Sequence, residues 1–423
     1  MRGRWWCTLA IIAPLVWFFG RVIALREVLD FRDIAHYYRP LWKWTSQEWA
    51  AGRVPLWCDL DGLGMPVHAD PTAAIFYPGQ LIFALPVDMT TRVNLFVVGH
   101  LLLAAVLFYR AALGFGASRA GAAAGAVSYT YGGTVLFLYC NPIFLVGAAW
   151  LPLALLCVHW LCREPRWRYA IGLAIVLALM TLGGDPHTVY HVALVALPYA
   201  WMCSRAQQAE AKSSSVLQSR MVLLLGGLLL AFALSAIQLL PTMEWSVRGE
   251  RALSEHPRSL WEIARGGSVV EGLFLDPPPH SHQERIYDFS IGPWRWLELG
   301  WPNIGGRMFP AHQRWMSSLP AEGRVWNPSL YIGLAPLLAA LAGFSLWRSN
   351  DRVTRWLSWL VVLGVVGSLG VYGLGWVWEE VRVGWLHQDP AERPLFGAVG
   401  GLYWFMVVTL PGYVQFRYPA KLF

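Results

Sequence analysis

Trp5-Trp-Cys-Thr-Leu-Ala-Ile-Ile-Ala-Pro-Leu-Val-Trp-Phe-Phe-Gly-Arg-Val-Ile-Ala-Leu25, followed by Leu29-Asp-Phe-Arg-Asp-Ile-Ala-His-Tyr-Tyr-Arg-Pro40, decides the fold of this chain. The first stretch has the roughly 20 mostly apolar residues that a helix needs to cross a hydrocarbon layer. The second turns abruptly to carboxylates, cations and aromatics, as a segment at a membrane face does. Apolar runs recur at 91–112, 118–138, 142–162, 169–183, 187–203, 221–243, 329–347 and 356–376, so with 5–25 the sequence predicts nine spans. Composition agrees, with 56% hydrophobic residues, 14% charged residues and a mean hydropathy of +0.42. Soluble domains carry about 25% charge. The runs are continuous rather than alternating, which excludes a β-barrel. The expectation is an all-α, polytopic transmembrane helical bundle, one integral membrane domain over 1–423.

Met-Arg-Gly-Arg before Trp5 imitates a signal peptide, but the apolar stretch is too long and lacks a small-residue cleavage site, so it reads as an uncleaved first helix. The net charge of +7 comes from basic residues in the short connections. That is an orientation signal, not a nucleic-acid footprint. Arg2 and Arg4, Arg110 and Arg119, Arg163/Arg166/Arg168, Arg205/Lys212/Arg220 and Arg348/Arg352/Arg355 share one side if the N-terminus is cytoplasmic. The same reading puts 26–90, 139–141, 184–186, 244–328 and 377 onward outside, which makes the first and fourth extracytoplasmic segments large.

Within 26–90, Ile34, Tyr37, Tyr38, Leu41, Thr45 and Trp49 form one stripe, with Arg39, Lys43 and Gln47 on another. This predicts an amphipathic helix kinked at Pro40 and lying in the interface. The segment 244–328 is rich in Trp, Pro and Gly and reads as irregular structure with short helices. Residues 397–412 are apolar but short, and Phe416-Arg-Tyr-Pro-Ala-Lys-Leu-Phe423 reads as the approach to a further helix, so the chain is expected to be C-terminally incomplete. The six cysteines show no metal or redox spacing and read as buried thiols, with a Cys58–Cys140 disulfide left open by topology.

A set of short motifs runs in order along the chain: Asp30, Asp33, Tyr37, Tyr38 and Pro40; Gly52-Arg-Val-Pro-Leu-Trp57; Gly64-Met-Pro66; Phe76-Tyr-Pro78; Gly184-Asp-Pro-His187; Gln238-Leu-Leu-Pro-Thr-Met-Glu244 with Ser246 and Arg248; and Phe416-Arg-Tyr-Pro-Ala-Lys421. In this order and topology the chain resembles the YfhO-like bacterial membrane proteins, a branch of the GT-C glycosyltransferase superfamily. It departs from them at Cys58-Asp59-Leu60, where the family shows Asn-Pro-Tyr. The resemblance implies a multi-pass protein of the bacterial cytoplasmic membrane that moves a sugar from a polyprenyl-phosphate carrier to an envelope glycan or lipid acceptor on the outer face. It also implies an acidic residue of the first outer segment near the acceptor hydroxyl, acting as the base.

Asp33 is the candidate base and Asp30 the reserve; the alternatives for Asp33 are an N-cap or pairing with Arg32 or Arg39. His68 and Asp70 share the same segment and could bind substrate, or a divalent cation together with Asp33, against a simple Asp-Pro turn. Asp59 and Asp61 read as solvated turn residues. Asp185 and His187, with His191 one helical turn on, read as a polar wall of the substrate cavity, against structural hydrogen bonding or a metal site. Arg248, Arg417 and Lys421 are candidates for the donor phosphate, since Arg offers a bidentate fork; ordinary snorkelling is the alternative. A transporter or flippase of a lipid-linked or polar solute, or a non-catalytic envelope assembly protein, would keep the same bundle. No paired repeat of the transporter kind is visible.

Overall fold

The computed structural model describes residues 2–60, 62–211, 215–319, 322, 324–344, 351–389, 391 and 394–422; Asp61, Lys212 and Arg348, read above from the sequence, lie outside them. The chain divides into two units, Met1–Trp245 and Ser246–Phe423. The division falls where the sequence changes from apolar runs to the Trp-, Pro- and Gly-rich segment.

The first unit holds α1 (Arg2–Ala24), α2 (Arg39–Ala50), α3 (Met89–Gly114), α4 (Arg119–Tyr131), α5 (Gly133–Phe137), α6 (Pro142–Arg163), α7 (Trp167–Leu182), α8 (Pro186–Ala211) and α9 (Ser215–Ser246). Among the described residues four helices are long and apolar enough to cross a membrane: Trp5–Ala24, Met89–Gly114, Pro142–Arg163 and Ser219–Ser246. Helices α3 and α6 form the centre: α3 packs on α6, α4 and α1, and α6 packs on α7 and α8. Ala104, Ala105, Ala122 and Ala126 are fully buried where α3 meets α4, the small-residue contact that lets membrane helices approach closely.

The single run expected over 118–138 is broken. Gly132 is extended (φ −63°, ψ 156°) and separates α4 from α5; two adjacent glycines are the weakest point of that run. Conversely, α8 and α9 extend past their apolar cores, because the polar residues flanking them continue the helix.

In the segment 26–90 the stripe is buried as expected at Ile34, Tyr38, Leu41 and Thr45, while Trp49 is exposed. Pro40 has no N–H and crowds the carbonyl four residues back. The preceding turn, Ile34–Tyr38, accordingly widens into a π-helical turn before α2 begins. The apolar face is covered by the segment itself: Leu41 packs with Cys58, Val67, Ala73 and Ile75. Trp42, fully buried, packs in tilted contact with Phe83 and Phe96 at centroid distances of 4.7 and 5.0 Å.

The second unit is built from short pieces around two longer helices, α12 (Leu334–Phe344) and α13 (Arg352–Ser368). The pieces are α10 (Val269–Leu273), α11 (His282–Ile286), α14 (Leu374–Glu379), α15 (Leu402–Thr409) and a small hairpin of β1 (Gly306–Arg307) and β2 (Gln313–Arg314). Its apolar core gathers Leu273, Ile286, Tyr287, Phe396, Tyr403, Val407 and Tyr413, all buried. Beside this core lies a buried ionic chain. Arg295 donates to Glu298 (2.9 Å) and the Asn327 carbonyl (2.6 Å), and Arg314 donates to Glu298 and Glu322 (2.6 Å each). The terminal turn Pro419–Leu422 packs on α13, where Gly364 admits the Leu422 carbonyl. No disulfide joins any of the six cysteines; Cys58 sits in the loop core and the Cys140 thiol donates to the Phe137 carbonyl (3.2 Å), so the bridge left open by topology is not formed.

Candidate functional site

The two acidic candidates after α1 have different surroundings. Asp30 is bound by Arg39 at 2.8 Å, and Arg39 is further held by Thr90. Asp33 stands at the start of the π-turn without capping it: its side chain makes no cap bond. Instead one oxygen, Oδ2, accepts from the Asn141 amide at 2.9 Å. The residue is exposed, and Oδ1 has no partner among the described residues. Arg32, just before it, is in the left-handed region (φ 53°) with its guanidinium over the Phe137 ring. A non-glycine residue is held there only when its surroundings over-determine it. Phe31 completes the attachment by packing on Phe137 and Tyr139. The segment 31–38 is thus docked on the α5–α6 connection.

Asp70 faces the same place. It accepts from the Tyr37 hydroxyl, from Thr72 Oγ1 (2.7 Å) and from the Thr72 amide (2.9 Å). The Asp-Pro turn reading therefore holds for Asp70, with Tyr37 added from the π-turn. Tyr38, buried beside them, donates weakly to the Asn141 side-chain oxygen at 3.4 Å. Burial, then neighbouring Tyr37 and the negative charge of Asp33 and Asp70, push the Tyr38 hydroxyl well above its usual range. His68 donates from Nδ1 to the Leu56 carbonyl (2.9 Å). Its own carbonyl accepts from Gln238 (2.8 Å), and the Ala69 carbonyl accepts from Thr242 (2.9 Å). The Gln238–Thr242 motif of α9 is therefore a clamp on the loop backbone.

Other motifs serve the same loop. Tyr77 of Phe-Tyr-Pro is buried: its hydroxyl donates to His100 Nε2 (2.8 Å) and accepts from Trp150 Nε1 (3.0 Å), while His100 Nδ1 faces the Phe96 carbonyl (2.7 Å) and so carries the proton. Burial pushes the Tyr77 hydroxyl up to about 12. Gly64 (φ 101°) lies under the Trp57 ring, where a Cβ would come within 2.4 Å of the indole; paired backbone bonds between Cys58 and Met65 close that hairpin. Gly184 (φ 94°) backs directly onto the Pro71 carbonyl, 2.6 Å from where a Cβ would stand.

Asp185 caps α8 through the Thr188 amide (3.2 Å) and hydroxyl (2.7 Å) and lies on Gly147 of α6. The rings of His187 and His191 lie in tilted contact at 4.3 Å, with His187 buried. Around the Asp70-Pro71 turn the structure therefore gathers Asp33, His68, Asp70 and the Gly184-Asp185 turn, all within the first unit.

Arg248, Arg417 and Lys421 belong to the second unit. Arg248 is exposed. Arg417 is half-buried; its Nη2 donates to His282 Nδ1 at 3.1 Å, and its Nε is buried without a partner. His282 Nε2 donates to the Val414 carbonyl (3.3 Å), which fixes the neutral tautomer. Burial, then the Arg417 and Arg258 guanidinium groups, pull His282 down to about 3. Arg258 is neutralised by a fork to Glu262 (2.6 and 3.0 Å), whereas Arg417 has no carboxylate within ion-pair distance among the described residues.

The described residues contain no group of three His, Cys, Asp or Glu side chains able to hold a metal ion. Two residues were invisible to sequence reasoning. Asn141 and His282 lie in no motif of the sequence. No protein-family model, no curated protein and no solved structure matches the chain.

Proposed function

We propose that the protein is a membrane glycosyltransferase that moves a sugar from a polyprenyl-phosphate carrier to an envelope glycan or lipid on the extracytoplasmic face, with Asp33 as the base and the N-terminus in the cytoplasm. The observation that carries this reading is the state of the three neighbouring carboxylates. Asp30 is neutralised by Arg39 and Asp70 is saturated by Tyr37 and Thr72, but Asp33 is exposed, fixed through one oxygen and open at the other. In the step proposed, the acceptor hydroxyl oxygen attacks the anomeric carbon and its proton passes to Asp33 Oδ1. The bond to the carrier phosphate breaks with its electron pair on the phosphate, which leaves as an anion and needs no acid. Within the second unit taken by itself, Arg417, without a carboxylate at ion-pair distance among the described residues, is the proposed contact for an anionic group, with Arg248 and Lys421 as further cations. The Asp70-centred turn, with His68, Asp185 and His187, forms the wall that receives substrate.

The test is transfer or consumption of an undecaprenyl-phosphate-linked hexose by the full chain in membranes. Asp33→Asn keeps the shape and removes the proton acceptor, so the rate should fall by about 10²–10⁴ with normal expression. Asp30→Asn should fall by far less. Full activity in Asp33→Asn would overturn the assignment.

A further inference from the structure

We infer that Asn141 is the positioning residue of Asp33: its side-chain amide, reaching from the head of α6, aims the carboxylate so that one oxygen is fixed and the other is presented to the incoming hydroxyl. The inference rests on the reading of Asp33 as the base. It starts from an anomaly. Asn at a helix N-cap ordinarily accepts a hydrogen bond from the first turn of its own helix, and Pro142 at the next position is the usual companion of such a cap. Asn141 makes no such bond. Its backbone carbonyl takes the first-turn amides of Phe144 (3.0 Å) and Leu145 (3.3 Å), while the side chain, 93% buried by its 7% exposure, turns away from α6. Nδ2 donates to Asp33 Oδ2 at 2.9 Å, and Oδ1 accepts from the Tyr38 hydroxyl at 3.4 Å.

This amide is the polar tie of the carboxylate to the bundle, across 108 residues of chain. Everything around it resists rotation. Arg32 is held left-handed against Phe137, Phe31 packs on Phe137 and Tyr139, and Tyr38 is buried over Asn141. The amide orientation follows from the partners: a carboxylate oxygen needs the NH₂ side, and a hydroxyl donor needs the carbonyl side. A base fixed through one oxygen has its other lone pairs directed, which is the condition for an efficient proton transfer in a positioned complex.

The experiment uses the full chain in native membranes with an undecaprenyl-phosphate-linked hexose as probe, plus a cross-linking measurement that needs no activity. Asn141→Asp retains capping ability, because Asp caps as well as Asn, but it has no amide donor and sets a second carboxylate against Asp33. The expected result is normal expression, a fall in kcat of about 10²-fold and a donor KM within about twofold of wild type. If Asn141 only caps α6, Asn141→Asp should be as active as wild type, and that result overturns the inference. In the other arm, Asp33→Cys/Asn141→Cys in a Cys140→Ser background should be bridged by the short thiol–thiol cross-linker dibromobimane, identified by mass spectrometry; absence of that link overturns the juxtaposition regardless of activity. If the link forms but Asp33→Asn transfers sugar normally, the base assignment fails and takes the positioning role with it. If Asp33→Asn is inactive and Asn141→Asp is active, the base stands and the positioning role alone falls.

Discussion

In the first unit the carboxylates of Asp33 and Asp70 are held by neutral donors: an amide in one case, and a phenol, a hydroxyl and a backbone N–H in the other. In the second unit the buried Glu262, Glu298 and Glu322 are each held by guanidinium groups, and the half-buried cation Arg417 meets the neutral His282. Neutral donors orient a carboxylate without cancelling its charge, so it remains able to take a proton. Guanidinium pairs cancel the charge and serve packing. The difference is one of charge balance: the buried arginine–glutamate pairs of the second unit balance charge within the fold, whereas Asp33 and Asp70 meet neutral partners.

The largest effect should come from the architectural side. Glu298 is fully buried and shared by Arg295 and Arg314. Glu298→Gln leaves two buried cations short of a counter-charge, and breaking such a pair costs about 3–5 kcal/mol. Denaturant unfolding of the purified protein, followed by protease sensitivity within 246–423, should show that loss. A loss below about 1 kcal/mol would mean that the network is not what holds the unit. Asp70→Asn is the matching test in the first unit. It keeps the shape and one acceptor oxygen but gives up the charge that Tyr37 and Thr72 bind, at a cost of about 1–3 kcal/mol. Because the donors are neutral, no stranded cation is left, so the loss should be the smaller of the two. An equal or larger loss would break the comparison.

Much of the bundle was legible, because apolar length and period are local properties. The runs at 91–112, 142–162 and 221–243 correspond to α3, α6 and α9, and the buried stripe Ile34, Tyr38, Leu41, Thr45 follows from spacing alone. The break at Gly132 was not read, since propensity there was outvoted by the hydrophobicity around it. The motifs were visible as a list, but their convergence was not. Gln238 reaches the His68 carbonyl across 170 residues, and Asn141 reaches Asp33 across 108, distances at which a single sequence carries no pairing signal. Among the acids, position in the sequence put Asp33 ahead of Asp30, but that Arg39 pairs with Asp30 and not with Asp33 was not legible, because it depends on the fold. In the second unit, Arg417 was read from its motif, but His282 had no signature apart from the fold.

An effect that appears only on acidification concerns that histidine, and its sign follows from the geometry. His282 is kept neutral by burial and by Arg417, Arg258 and Arg251, with its proton-accepting nitrogen already taken by Arg417, and it is pulled down to about 3 from an unfolded value of about 6.5. Between those two values the unfolded chain binds a proton that the folded chain refuses. The stability owed to neutral His282 is therefore complete above about pH 6.5 and is lost as the pH falls toward 3. Thermal unfolding of the second unit at pH 7.5, 6.5, 5.5 and 4.5 should show a decline, on the order of 1 kcal/mol per pH unit at its steepest. His282→Gln retains an amide oxygen for Arg417 and a donor for the Val414 carbonyl but cannot titrate. The difference between the two proteins cancels every other titrating group, and should shrink on acidification because only wild type loses stability through this site. A difference that stays constant from pH 7.5 to 4.5 would show that His282 titrates normally in the fold, and the contrast between a neutral partner for Arg417 and the carboxylate partners of Arg258, Arg295 and Arg314 would no longer hold.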